Sequence, residues 1–162
     1  MTIAVGERVP EATLMKATDD GPRPVTTKEL FDGRTVVLFC VPGAFTPTCS
    51  ARHLPGYVEN AARFAGAGVA EIVCVAVNDA FVMGAWGRAQ GADGKVTMVS
   101  DGNGDFVKRL GLEFDGSKYG MGIRGQRFAM VVRDGTVQHL FVEEPGAFKV
   151  SSAEHVLEAL AA

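Results

Sequence analysis

The stretch Pro42-Gly43-Ala44-Phe45-Thr46-Pro47-Thr48-Cys49 brings a cysteine to the start of a helix. A cysteine acts as a nucleophile through its thiolate. Thr46 is a good helix N-cap, and Pro47 suits the first helical position, where its missing N–H costs nothing. This register puts Cys49 in the first turn. Its sulfur is then expected near unpaired backbone N–H groups and the positive end of the helix dipole, both of which favour thiolate over thiol. Gly43 and Ala44 are small enough to let backbone approach a small substrate closely. The same pattern also describes a capped helix with a merely packed cysteine, and physics alone leaves both readings open.

The other cysteines are Cys40 and Cys74. Three is an odd number and does not read as a secreted disulfide framework. Cys40 ends an apolar run just before the Pro42–Cys49 loop and reads as packing. Cys74 lies inside a second apolar run and reads as a small core residue. His53 follows Cys49 by one helical turn, so the two share a face, and cysteine and histidine at that spacing can both bind zinc. A stable site needs more ligands, and His139 and His155 fall on a strand and a terminal helix, so no metal is expected. There is no Cys-x-x-Cys pair of the disulfide-exchange type and no glycine fingerprint for a nucleotide. No cofactor is expected. Trp86 reads as packing.

Positioning the loop requires a sheet. Val36-Val37-Leu38-Phe39-Cys40-Val41 and Ile72-Val73-Cys74-Val75-Ala76-Val77 are nearly continuous apolar runs, as in central parallel strands covered on both faces. A helical stretch from about Pro47 to Gly66 joins them in a βαβ unit with a right-handed crossover. A helix starting near Asn78-Asp79, a short strand at Val96–Val99 and a helix at Asp105–Leu110 with Gly111 as C-cap follow. Strands at Arg127–Val132 and Val137–Val142 flank Asp134-Gly135, a hairpin signal. Thr26 with Glu29, and Ser151 with Glu154, read as capping boxes. A parallel βαβ half joined to an antiparallel ββα half predicts an α/β, thioredoxin-like three-layer fold with a mixed central sheet and flanking helices.

At 162 residues and 47% hydrophobic content, the chain fits one domain over 1–162 with a substantial core. A net charge of −3 without a basic run argues against nucleic acid. No apolar run approaches the roughly 20 residues that span a bilayer. The first residues, Met1 to Arg8, lack the pattern of a signal peptide, so a cytoplasmic location is expected.

The segment PGAFTPTCS resembles the active-site motif of peroxiredoxins, Pro-x-x-x-Thr-x-x-Cys, and with Ala51–Val58 it is similar to the type II, or peroxiredoxin-5, subfamily of plant and bacterial type. Val77–Val82, Arg127–Val132 and Val150–Glu154 resemble further segments of that subfamily, so the likeness runs from about Val5 to Leu160. It implies a thiol peroxidase that reduces hydrogen peroxide and alkyl hydroperoxides through a sulfenic acid on Cys49. Thr46 would hydrogen-bond peroxide and sulfur, Pro42 would shield the thiolate, and Arg127 would stabilise it and polarise the peroxide. From the residues alone, Arg127 reads more safely as a surface charge at a strand start, with Arg124 competing for the role. Cys74 matches a resolving cysteine of plant members, beside its reading as a core residue. The resemblance further implies recycling by glutathione, glutaredoxin or thioredoxin and a homodimer built near the active-site loops, where Phe45 and Phe81 would be exposed. The alternative function is a redox-sensing interaction protein that relays oxidation through the same cysteine.

Overall fold

The computed structural model describes residues 1–162. The chain opens with a hairpin that has no strong strand signal in the sequence, β1 (Thr13–Lys16) and β2 (Arg23–Thr26). Helix α1 (Thr27–Phe31) carries the expected box: Thr26 Oγ1 accepts from the Glu29 N–H, and the Glu29 side chain accepts from the Thr26 N–H. The two apolar runs are β3 (Thr35–Cys40) and β4 (Glu71–Ala76), paired in parallel.

The helical stretch between them is not one continuous α-helix. Pro47 and Thr48 start it, a π turn occupies Cys49–His53, and α2 (Leu54–Glu59) and α3 (Ala61–Gly66) follow, separated at Asn60. In the π turn the Leu54 N–H donates to the Cys49 carbonyl, five residues back. Pro55 gives a physical reason. In a regular helix its ring would press on the carbonyl four residues earlier, that of Ala51, and it has no N–H to offer. The wider π turn immediately before it relieves that conflict.

Helix α4 (Ala80–Ala89) is capped by Asp79, whose carboxylate accepts from the Val82 N–H. Then come β5 (Thr97–Ser100), α5 (Asp105–Leu110) and its left-handed C-cap Gly111, at φ 71°. A small separate hairpin joins β6 (Glu113–Asp115) to β7 (Ile123–Gly125). The predicted long hairpin is β8 (Phe128–Arg133) and β9 (Thr136–Val142), turned by Asp134 and Gly135 at φ 48° and 78°. Helix α6 (Ala153–Ala161) closes the chain. Its cap corrects the expected box at Ser151 and Glu154. The cap is Ser152, which accepts from the His155 N–H, whereas Ser151 is buried and turned to Glu143. Local spacing offered two adjacent serines, and only the buried carboxylate decides between them.

The main sheet runs β2-β1-β5-β4-β3-β8-β9, parallel in the middle and antiparallel toward both edges. Side chains alternate across it, so the apolar strands feed two cores. Val37, Phe39, Ile72 and Cys74 face one core with Cys49, Tyr57, Trp86 and Val156. Val36, Leu38, Cys40, Val73 and Val75 face the other with Leu30, Phe31, Phe106 and Leu110. This is a thioredoxin-like α/β fold with helices on both faces of a mixed sheet. No helix is long and apolar enough to cross a membrane.

The second core closes tightly where β7 reaches the sheet. A Cβ added to Gly125 would lie 2.5 Å from Cys40 Sγ and 3.0 Å from Val107 Cγ1, both inside van der Waals contact. Gly125→Ala should therefore destabilise the protein by about 1–3 kcal/mol, as overpacking does. Urea unfolding checks this, and an unchanged midpoint would show that β7 can move aside.

Candidate active site

The loop after β3 lies at the carboxyl edge of the parallel strands, where open α/β sheets bind ligands. Two ties hold it. The Ala44 N–H donates to Asn78 Oδ1 at 2.9 Å, anchoring the loop to the segment after β4. Arg124 Nη1 donates to the Pro42 carbonyl at 3.1 Å, while its Nε donates to the Met121 carbonyl at 2.9 Å. Gly43 leaves room for this contact, since a Cβ there would come 2.9 Å from Arg124 Nη1 and push it aside. Phe45 takes a left-handed backbone, φ 62°, which is uncommon for an aromatic residue, and its ring is 57% exposed.

Thr46 precedes the first helical residue as expected, and its carbonyl accepts from the Ser50 N–H at 2.9 Å. Its side chain corrects the capping expectation. Thr46 Oγ1 donates to the Gly43 carbonyl at 2.6 Å and so closes the loop on itself rather than capping the helix.

Cys49 is completely buried. The hydrogen bond on its sulfur comes from a side chain 78 residues further along the chain. Arg127 Nη2 donates to Cys49 Sγ at 3.2 Å. Arg127 stands just before β8, and β8 pairs with β3, so the sheet itself carries the guanidinium to the loop that follows β3. Of the two competing arginines, Arg127 therefore meets the sulfur and Arg124 holds the Pro42 backbone.

His53, weighed from sequence only as a metal ligand, engages both ring nitrogens with protein groups. Arg127 Nη1 donates to His53 Nδ1 at 2.8 Å, and His53 Nε2 lies 3.1 Å from the Ser151 carbonyl. An arginine can only donate and a carbonyl can only accept, so the proton must sit on Nε2. Tyr57 donates to the same carbonyl at 2.7 Å. Tyr57 is stacked on Phe39 with ring centroids 4.0 Å apart, and Phe148 covers His53 at 5.0 Å. Burial and the neighbouring Arg127 charge push His53 down to about 3. It is a neutral acceptor throughout the physiological range. Trp86 is core, as expected, and also donates to Ser50 Oγ at 3.0 Å.

Cys74 is buried on the same sheet face as Cys49, and burial, with the thiols of Cys40 and Cys49 nearby, pushes its thiol well above the ordinary range. Cys40 is buried on the opposite face and is likewise pushed up by burial. All three cysteines are free.

A thioredoxin-like fold that sets a cysteine sulfur beneath a guanidinium at the carboxyl edge of its sheet defines a thiol-based oxidoreductase. A family model described as Redoxin matches residues 4–157. The chain is 50% identical to Peroxiredoxin-2E-2, chloroplastic, of Oryza sativa subsp. japonica, across 98% of this chain and 73% of that protein. It is 45% identical to Peroxiredoxin-2B of Arabidopsis thaliana, across 98% of both. A crystal structure of reduced Prx3 from Vibrio vulnificus in complex with hydrogen peroxide superposes with a TM-score of 0.94 at 50% identity, over 98% of this chain and 99% of that one. The chain belongs to the peroxiredoxin family, in its type II branch, and is a thiol-dependent peroxidase.

The depressed His53 value has a thermodynamic consequence. Unfolding frees the imidazole to bind a proton near its ordinary 6.5, whereas the folded protein holds it neutral down to about 3. Its contribution to stability is complete above about pH 6.5 and is lost progressively as pH falls toward 3. Between about pH 4 and 6, the stability difference between the wild type and His53→Gln should move against the wild type on acidification, by up to about 1.4 kcal/mol per pH unit. Denaturant unfolding across that range measures it, and parallel curves would show that folded His53 takes up the proton.

Proposed function

We propose that Cys49 is the peroxidatic thiol and that this peroxidase reduces hydrogen peroxide and small alkyl hydroperoxides. The 3.2 Å donation from Arg127 to Cys49 Sγ is the observation that carries this reading. A cationic donor favours the thiolate, which attacks one peroxide oxygen along the O–O axis. The S–O bond forms as the O–O bond breaks, and the second oxygen departs as hydroxide or alkoxide and takes a proton from water. Cys49 is left as a sulfenic acid. Arg127 is placed to stabilise the charge that develops during this displacement. Thr46, in the closed loop, supplies a hydroxyl for the bound peroxide, and Pro42, half-buried and fixed through its carbonyl, keeps water from the sulfur.

Rapid mixing of the reduced protein with peroxide tests the assignment. Cys49→Ser should abolish the reaction, and Arg127→Ala should slow it by about a hundredfold, the scale expected for loss of one charge-stabilising donor. Thr46→Val should slow it as well. A wild-type Cys49 no faster than free cysteine would refute the assignment, as would full rates in both Arg127→Ala and Thr46→Val.

The reductant in this proposal is external: glutathione, glutaredoxin or thioredoxin. Cys74 is buried in β4 and its thiol is poorly ionised, which makes it a poor nucleophile toward the sulfenic acid. We also propose a homodimer formed near the active-site loops, because Phe45 and Phe81 are 57% and 73% exposed there. Mass spectrometry after one equivalent of peroxide, with glutathione in excess, reads both points. Denatured samples should show a mixed disulfide on Cys49 with Cys74 still alkylatable, and native spectra at micromolar concentration should show the dimer. Rapid, quantitative Cys49–Cys74 disulfide would make Cys74 the resolving residue, and a monomer alone would remove the dimer.

A further inference from the structure

The Arg127 guanidinium is held by more than its two immediate partners. Glu143 stands just beyond β9, is buried, and makes no hydrogen bond to Cys49 or to the Arg127 side chain, yet both of its ends lead to the site. Its backbone N–H donates to the Arg127 carbonyl at 3.0 Å and extends the β8–β9 ladder by one step. One carboxylate oxygen, Oε2, accepts three hydrogen bonds: from the Lys149 N–H at 2.7 Å, the Ser151 N–H at 2.9 Å and Ser151 Oγ at 2.7 Å. The segment carrying Ser151 is thereby fixed to the strand end that carries Arg127.

The Ser151 carbonyl then accepts from both His53 Nε2 and Tyr57 Oη, which occupies its two lone pairs. That carbonyl decides where the His53 proton sits. With the proton on Nε2, Nδ1 is the acceptor that Arg127 Nη1 requires, and Nη2 is left to reach Cys49 Sγ. A carboxylate placed directly on Arg127 would hold the guanidinium equally well but would neutralise the charge the sulfur needs. Here a neutral imidazole is the contact, and the negative charge stands two residues removed. Burial pushes the Glu143 carboxyl up, but the donors from Ser151, Lys149 and Val150 outweigh it and hold it below the ordinary range.

We propose that Glu143 is a positioning residue for the peroxidase reaction: through Ser151 it sets the His53 tautomer that aims Arg127 at Cys49. The proposal rests on Cys49 as the peroxidatic thiol. Two variants separate reach from charge. Glu143→Asp keeps the charge but withdraws the carboxylate by one methylene, and Glu143→Gln keeps an acceptor oxygen at the same reach without the charge. The rate of peroxide attack should fall about tenfold in Glu143→Asp and stay within about twofold of wild type in Glu143→Gln. In an Arg127→Ala background, Glu143→Asp should cost nothing further, since its effect passes through the missing side chain. Nitrogen-15 NMR of the His53 ring should report the Nε2–H tautomer in wild type and Glu143→Gln, and a mixture in Glu143→Asp. A Glu143→Asp protein with the wild-type rate and tautomer overturns the proposal. So does a tenfold loss that persists without Arg127, which would mark Glu143 as structural only. Peroxide turnover that survives Cys49→Ser would overturn the assignment of the thiol instead, and the tautomer measurement stands apart from that result.

Discussion

Arg127 makes two contacts with one planar group, Nη2 to the Cys49 sulfur and Nη1 to His53 Nδ1, and the site is organised around satisfying both. A guanidinium is a rigid fork of donors, so fixing one arm fixes the direction of the other. The acceptor on the first arm is neutral, held so by its burial and by the arginine itself. The cation therefore keeps its charge for the arm that faces sulfur. A mobile or protonated partner at His53 would leave the guanidinium without that direction.

Backbone features far apart in the chain serve this contact. Pairing of β3 with β8 sets the Arg127 strand beside the loop that leads to Cys49. The π turn at Cys49–His53 widens the helix where Pro55 would otherwise collide with it, and it sets the spacing of Cys49 and His53 that one guanidinium spans. On the loop side, Thr46 closes onto Gly43, Arg124 holds Pro42, and Asn78 holds Ala44. Within this ring of contacts Cys49 is fully buried.

Burial alone does not distinguish the three cysteines. Cys40, Cys49 and Cys74 are all fully buried. Cys40 and Cys74 sit within strands, among apolar neighbours that disfavour the thiolate, and both are pushed up accordingly. Cys49 differs by the donor aimed at its sulfur. Composition and burial treat the three alike, and only Cys49 stands in the first turn of a helix with an arginine donating to its sulfur.

Much of the fold was legible in the chain because it is written in local signals. The apolar runs at Val36–Val41 and Ile72–Val77 need cover on both faces, Asp134-Gly135 needs a tight turn, and Thr46-Pro47 needs a helix to begin. Proximity of Cys49 to a helix start follows from the same short-range rules, whereas only the family resemblance points to Arg127 as the side chain on its sulfur. The short strands of the opening hairpin carry no such signal, because four residues hold too little periodicity to stand out. What the tertiary structure alone decided are choices between equivalent local options: Ser152 rather than Ser151 as the cap of α6, a Thr46 hydroxyl turned to Gly43 rather than to the helix, and Nδ1 rather than Nε2 of His53 as the acceptor. Each depends on a polar atom brought from a distant segment. A buried hydrogen bond goes to whichever partner the packed chain delivers, and no local pattern of residues records that partner.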